Sequence, residues 1–256
     1  MASVDFELGK RALQSLIKRE QHLRKKAEER DTLDLFDNAA MISLRVALKH
    51  MCKKRLAPKR IQLAHKFITP ENTVLVIVSD SLEKQVEEIV IPNVTFNTFT
   101  YFKDRSVSFE QKRNFASSYD YILVDKVVYP NYASAMGKIF KQKRGGIVRF
   151  TGDIEKCVHD AMNSTFMFIP SGTTLSFPIG DVDMGEEALL ENLRAAIHGL
   201  ERFLPHNFGM VQTLGVKTAT SIDLPFYHSL PKEEDVYESD DEVELDIDAL
   251  AKEADL

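Results

Sequence analysis

The chain has 256 residues, 44% of them hydrophobic and 28% charged, enough length for one large domain or two modest ones, each with its own core. No apolar run reaches the roughly 18–20 residues of a membrane span, and Met1–Asp5 leads directly into a charged helical pattern, so neither a membrane helix nor a secretory signal is expected. The net charge of −6 is unevenly divided: residues 231–256 carry 12 acidic and 2 basic side chains, while the rest carries 27 acidic and 31 basic. A mildly basic body therefore precedes an acidic tail, and such blocks act locally.

In chain order, Phe6 to about Arg30 reads as a helix, with Phe6, Leu13, Leu16 and Ile17 in an apolar stripe and a charge-rich second half. Ala40–Lys49 alternates Ile42, Leu44, Val46 and Leu48 with Ser43, Arg45, Ala47 and Lys49, the period of a half-buried strand. Arg60–His65 continues in extended style. The rhythm then changes. Thr73–Val78 is a β-branched run, Ser81–Val90 is helical, and Thr95–Phe102 alternates. Phe109–Ser117 is helical, Tyr121–Asp125 is a strand, Tyr132–Lys143 is helical, and Gly146–Phe150 closes the series. Strands alternating with helices predict an open, largely parallel α/β sheet.

After Gly152 a helix is expected over Asp153–Ser164, then an edge-like strand over Thr174–Gly180. Asp183 followed by Glu186 has the spacing of an N-cap with its capping-box carboxylate. Behind it Leu189, Leu193, Ile197, Leu200 and Leu204 form one continuous helical face, and Met210–Thr218 reads as the last strand. Beyond Pro231 the composition is that of a disordered segment.

The motifs of phosphate-handling or hydrolytic chemistry are missing. There is no GxxxxGK[ST], no GxGxxG, no GxSxG and no HxxxH pair among the seven histidines. Cys52 and Cys157 stand 105 residues apart without a neighbouring cysteine, which speaks against a zinc knuckle or a disulfide framework and for two buried, inert thiols. Asp80 and Asp125 follow two adjacent-looking strands. They could hold a metal, though a turn or cap role is the plainer reading. No catalytic residue, metal or cofactor is assigned.

The positive signal is basic. Asn38–Pro70 holds eight basic residues and no acid, including Arg45, Lys49, Lys53, Lys54 and Arg55. Lys126–Gly152 is likewise acid-free, with six. Such stretches can neutralise nucleic-acid phosphates, or simply form a solvated surface.

Arg60-Ile-Gln-Leu-Ala-His65, Ser118-Tyr-Asp-Tyr-Ile-Leu-Val-Asp125, Met136-Gly-Lys-Ile-Phe140, Phe177-Pro-Ile-Gly180, Leu190-Glu-Asn192 and Val216-Lys-Thr218 occur in one order along the chain. Together they resemble the ribosomal protein L-one family over about residues 6–230. The resemblance implies a two-domain α/β fold: a discontinuous α+β RNA-binding domain at 1–68 plus 151–230, with a Rossmann-like three-layer α/β domain inserted at 69–150. Residues 231–256 would be an acidic tail. It further implies that structured RNA is gripped by the strand and loop that hold Ser43, Arg45, Lys49, Lys217, Thr218, Thr220 and Ser221. Hydroxyls would meet 2′-OH groups there and lysines would meet phosphates. Thr218-Ala-Thr-Ser221 and Leu224-Pro-Phe-Tyr227 depart from the Thr-Met-Gly-Pro-Ser turn of the ribosomal stalk proteins. They look more like the eukaryotic nucleolar assembly factors of the family.

The expectation is therefore a non-enzymatic rRNA-binding ribosome-biogenesis factor of the nucleus and nucleolus. Its expected partners are precursor rRNA, ribosomal proteins and other assembly factors in pre-ribosomal particles, with no membrane and no small-molecule substrate. A structural protein of the large-subunit stalk, a phosphate-handling α/β enzyme and a protein-binding regulator stay open as alternatives. Ser239, in Glu238-Ser-Asp-Asp-Glu242, has the acidic context of a casein kinase type two phosphosite.

Overall fold

In the computed structural model the described residues are 4–29, 41–49, 59–66, 72–87, 89–105, 108–132, 144–150, 153–168, 172–204 and 209–229. Lys53–Arg55, most of the helical reading over Tyr132–Lys143, the tail and Ser239 lie outside them.

The chain divides into two units, Met1–Ala57 with Met167–Leu256 and Pro58–Phe166. The first is built on β1 (Met41–Leu48), whose residues alternate between half-buried and buried along its whole length. Ile42, Leu44, Val46 and Leu48 point into the core, as their period of two requires. β1 is central in an antiparallel sheet of order β10-β9-β1-β8, with β8 at Thr174–Asp181, β9 at Val211–Lys217 and β10 at Leu224–His228. β8 is an edge strand, which is where Pro178 is tolerated.

Two long helices cover one face of this sheet. α1 (Phe6–Glu29) starts at Asp5, whose Oδ1 accepts from the amides of Glu7 and Leu8. Among its buried side chains are Leu13 and Leu16. α6 (Glu186–Phe203) buries Leu189, Leu193, Ile197 and Leu200 on the face read from their spacing. Gly9 and Gly180 permit close approach: a Cβ at Gly180 would stand 2.6 Å from Leu189 Cδ2. Buried Asn192 donates from Nδ2 to the Ile179 carbonyl at 3.0 Å, tying α6 to β8.

The cap expected at Asp183 is not formed. Gly185, at φ 87°, is the N-cap of α6, and Val182–Met184 is a short 3-10 turn. Asp183 instead meets Arg24 Nη1 at 2.7 Å and Nη2 at 3.1 Å, and Glu186 accepts from Gln14 Nε2 at 2.7 Å. Both carboxylates link segments remote in sequence.

The second unit holds a parallel sheet of order β4-β3-β5-β6, from β3 (Val74–Val78), β4 (Val94–Thr98), β5 (Tyr121–Asp125) and β6 (Arg144–Val148). β3 and β5 are buried at every position, as expected for strands covered on both faces. The helix expected over Ser81–Val90 is shorter: a 3-10 turn at Asp80–Leu82 and α2 at Glu83–Val86. The alternating stretch to Phe102 is a strand only to Thr98, and α3 (Phe99–Arg105) follows. α4 (Phe109–Ser117) has a full capping box between Ser108 and Gln111. α5 (Ile154–Met162) is capped by Asp153 and holds half-buried Cys157.

β2 (Lys59–Gln62) pairs with β7 (Ser164–Met167). With α5 they associate with the parallel-sheet unit. The borders of the two units fall at 57/58 and 166/167. Among the described residues no helix is long and apolar enough to cross a membrane.

Candidate nucleic-acid interface

Because α1 and α6 take the Ile42–Leu48 face of the antiparallel sheet, the alternate residues form its other face. The register places Ser43 between Pro178 and Lys217, Arg45 between Ser176 and Gly215, and Ala47 between Thr174 and Thr213. Cross-strand neighbours of this kind stand roughly 5 Å apart. Ser43, Thr174, Ser176 and Thr213 therefore share one surface, with Arg45 and Lys217 among them. At its margin Thr213 Oγ1 and His228 Nδ1 are 3.1 Å apart.

The loop after β9 is held rigidly at one end of that surface. Thr218 is buried, and its hydroxyl donates to Glu20 Oε1 at 2.8 Å. Its amide donates to Ser221 Oγ at 2.9 Å, and the Ser221 hydroxyl donates to the Ile222 carbonyl at 2.9 Å. Arg19 Nη1 meets Glu20 at 2.8 Å, and Nη2 donates to the Thr220 carbonyl at 3.0 Å. A buried carboxylate without partners is costly. Glu20 is satisfied by Arg19, Thr218 and, at 3.4 Å, Thr220. This network presents Ala219, Thr220 and Ile222 outward, and Ile222 is 78% exposed.

The seven residues proposed from sequence thus separate. Ser43, Arg45 and Lys217 lie together on the sheet face, with Thr220 exposed on the adjoining loop. Ser221 stands beside them, but its hydroxyl holds the loop in shape. Thr218 is buried within the loop, where its hydroxyl donates to Glu20. Lys49 lies at the opposite end of β1, where its amide donates to the Met210 carbonyl, roughly 20 Å along the strand from Ser43.

Sequence reasoning missed Glu20, Arg19 and Asp223. Glu20 stood four residues beyond Leu16 on the buried stripe of α1, and a carboxylate at an apolar position was the available signal. Asp223 reaches the interface through the β9–β10 turn. Its Oδ2 accepts from Arg45 Nη1 at 3.2 Å.

In the parallel-sheet unit, Asp80 accepts from the Thr100 hydroxyl at 2.8 Å, and Asp125 accepts from the Val127 amide at 3.3 Å. Asp80 thus ties the turn after β3 to the start of α3, and Asp125 holds the turn after β5. Among the described residues no group of three or more His, Cys, Asp and Glu side chains could hold a metal ion.

Comparison with known proteins adds the family. A ribosomal L1 domain-containing protein of Drosophila melanogaster is 25% identical over 203 residues, covering 70% of this chain and 29% of the relative. A "putative ribosome biogenesis protein" of Schizosaccharomyces pombe is 24% identical over 184 residues, covering 67% and 64%. Ribosomal L1 domain-containing protein 1 of Mus musculus is 22% identical over 227 residues, covering 83% and 50%. The chain thus spans less than two thirds of the length of each of these relatives. The model of the Ribosomal protein L1p/L10e family matches residues 18–222, from the Glu20 network on α1 to the loop it holds, and the chain belongs to that family.

Proposed function

We propose that this protein is a non-enzymatic rRNA-binding factor of ribosome biogenesis that associates with pre-ribosomal particles in the nucleolus. The observation that carries this reading is the face of the antiparallel sheet opposite α1 and α6, where Ser43, Thr174, Ser176 and Thr213 lie with Arg45 and Lys217 beside a rigid loop. The wide, shallow minor groove of A-form RNA displays 2′-hydroxyls that can both donate and accept. A flat surface of hydroxyls with two cations suits it better than a deep basic cleft would.

Binding on such a surface works by shape and occupancy, so no group needs to be poised for bond breaking. The relatives named for ribosome biogenesis and the L1 domain support the same reading. The partners follow from it: precursor rRNA first, then ribosomal proteins and other assembly factors on the same particles.

The test is crosslinking in cells with sequencing of the attached RNA, combined with sedimentation of the extract. Crosslinks at Ser43–Arg45 and Lys217–Ile222 to precursor rRNA, and migration with precursor particles, are expected. Crosslinks that avoid both segments would sink the surface. Migration with translating polysomes would favour a structural protein of the large-subunit stalk.

A further inference from the structure

Arg45 occupies the centre of the proposed RNA face, between Ser176 and Gly215 on the flanking strands, yet a carboxylate already faces it. Asp223 reaches back from the β9–β10 turn and lies against the backbone of Gly215. A Cβ at 215 would overlap Oδ1 and stand 2.8 Å from Cγ, so the absent side chain at 215 leaves the room that the carboxylate occupies. The carboxylate is poorly held there. Oδ2 accepts one bond from Arg45 Nη1 at 3.2 Å, long for a charge-assisted pair. Oδ1 is buried with no hydrogen-bond partner among the described residues. An ionised carboxylate has about four acceptor positions, and this one uses one on Arg45.

We propose that Asp223 is a built-in stand-in for a phosphate, which holds Arg45 neutral toward polyanions until an RNA phosphate of the right placement displaces it. This rests on the RNA-binding reading above and deepens it. A guanidinium prefers a bidentate anion, and Asp223 gives it a single contact, so a backbone phosphate can outcompete it. That competition succeeds when the hydroxyl face has already docked the RNA and set a phosphate beside Arg45. A flexible polyanion without such contacts has only charge to offer, and that charge meets an occupied arginine. Asp223 would thus raise selectivity while lowering raw affinity. The exchange is modest in size, because half-exposed ion pairs are weak.

The test compares wild type with Asp223→Asn, Arg45→Ala and the double variant, using full-length protein. Glu187→Gln, on the exposed side of α6, serves as a control for the same change in charge. Heparin is the first probe. Asp223→Asn is expected to bind heparin about threefold to fivefold more tightly than Glu187→Gln. Arg45→Ala is expected to change wild type by less than about twofold while abolishing the gain in the Asp223→Asn background.

The second probe is an RNA stem-loop with an internal loop, beside a DNA of the same sequence. Here the preference for RNA should narrow in Asp223→Asn, and the salt dependence should steepen by about one phosphate contact. Equal heparin affinity for Asp223→Asn and Glu187→Gln overturns the proposal, as does an equal cost of Arg45→Ala in both backgrounds. A lowered melting temperature of Asp223→Asn without gain on heparin would make the pair purely structural and also overturn it. If wild type ignores the RNA, the RNA reading fails, while the heparin comparison still decides the role of Asp223.

Discussion

In the parallel sheet β3 and β5 are buried at every position, whereas β1 of the antiparallel sheet is buried at every second one. The difference follows from connection. Parallel strands need crossovers, and these bring cover to both faces; an antiparallel sheet can be covered on one face alone, as α1 and α6 cover this one. Only the second arrangement exports a row of side chains from a rigid backbone, here Ser43, Arg45 and Ala47 flanked by Ser176 and Lys217. The parallel sheet has no comparable row on its central strands; Asp80, two residues past β3, holds the start of α3, and Asp125, the last residue of β5, holds the turn after it. The proposed recognition surface thus lies on the sheet that the helices cover on one face.

The largest expected effects test that contrast directly. Leu44→Ala on β1 should cost about 2–5 kcal/mol, while Ser43→Ala next to it should stay within about 0.5 kcal/mol. On β5, neighbours Ile122→Ala and Leu123→Ala should both cost about 2–5 kcal/mol, since both are buried. Urea denaturation of the four variants measures this. A costly Ser43→Ala, or a neutral member of the β5 pair, would break the comparison.

Next in size is Gly145 on β6. It sits at φ 147°, and a Cβ there would overlap the carbonyl of Ile122 on the adjacent strand. Gly145→Ala should therefore destabilise by about 1–3 kcal/mol through strain and overpacking. Wild-type stability on denaturant titration would show that the β5–β6 pairing is loose enough to admit a methyl group.

The same physics decided what could be read from the sequence. β1, β3, β5 and α6 were legible because burial imposes a period or an unbroken apolar run. β7 was missed because Ser164-Thr-Phe-Met167 is only four residues long and follows α5 after the single residue Asn163. β10 was missed because Pro225 and the irregular pairing between Pro225 and Tyr227 break the alternation. The end of α1 was misjudged in kind: Glu20 reads as one more charge in a charged helix, yet it is buried under the Thr218 loop. Alternation placed Ser43 and Arg45 on the strand face opposite the core, and only the family resemblance proposed that this face meets RNA. Asp223 depended on how a turn folds back over Gly215, which no local pattern encodes.

Thr218→Val examines the rim of the wet sheet, where a buried polar network replaces apolar packing. The valine keeps the shape and removes the one short hydroxyl donor to Glu20, leaving a buried acceptor short of a bond. A loss of about 1–2 kcal/mol is expected. RNA affinity should fall as well, although position 218 itself is buried, because the Ala219–Ile222 loop loses its anchor. Unchanged affinity at reduced stability would show that the loop's order is irrelevant to binding.

The smallest effect concerns Asp181, at the end of β8 opposite Met41. Its Oδ1 is buried without a hydrogen-bond partner among the described residues. Burial first, and then repulsion from Asp183, push its carboxyl above the ordinary range, against the opposing pull of the Val182 and Asp183 amides and Arg24. A carboxyl raised in the folded state favours folding while protonated. That contribution is present below the unfolded pKa, about 4, and is lost as pH rises through the folded value. At neutral pH the ionised side chain therefore works against the sheet end it caps, and Asp181→Asn should melt higher by about 2 °C. The gain should shrink as pH falls and vanish near about pH 3, where wild type is protonated in both states. Thermal melts across that range would overturn the assignment if the variant were no more stable than wild type at pH 7, or if its advantage grew toward acid.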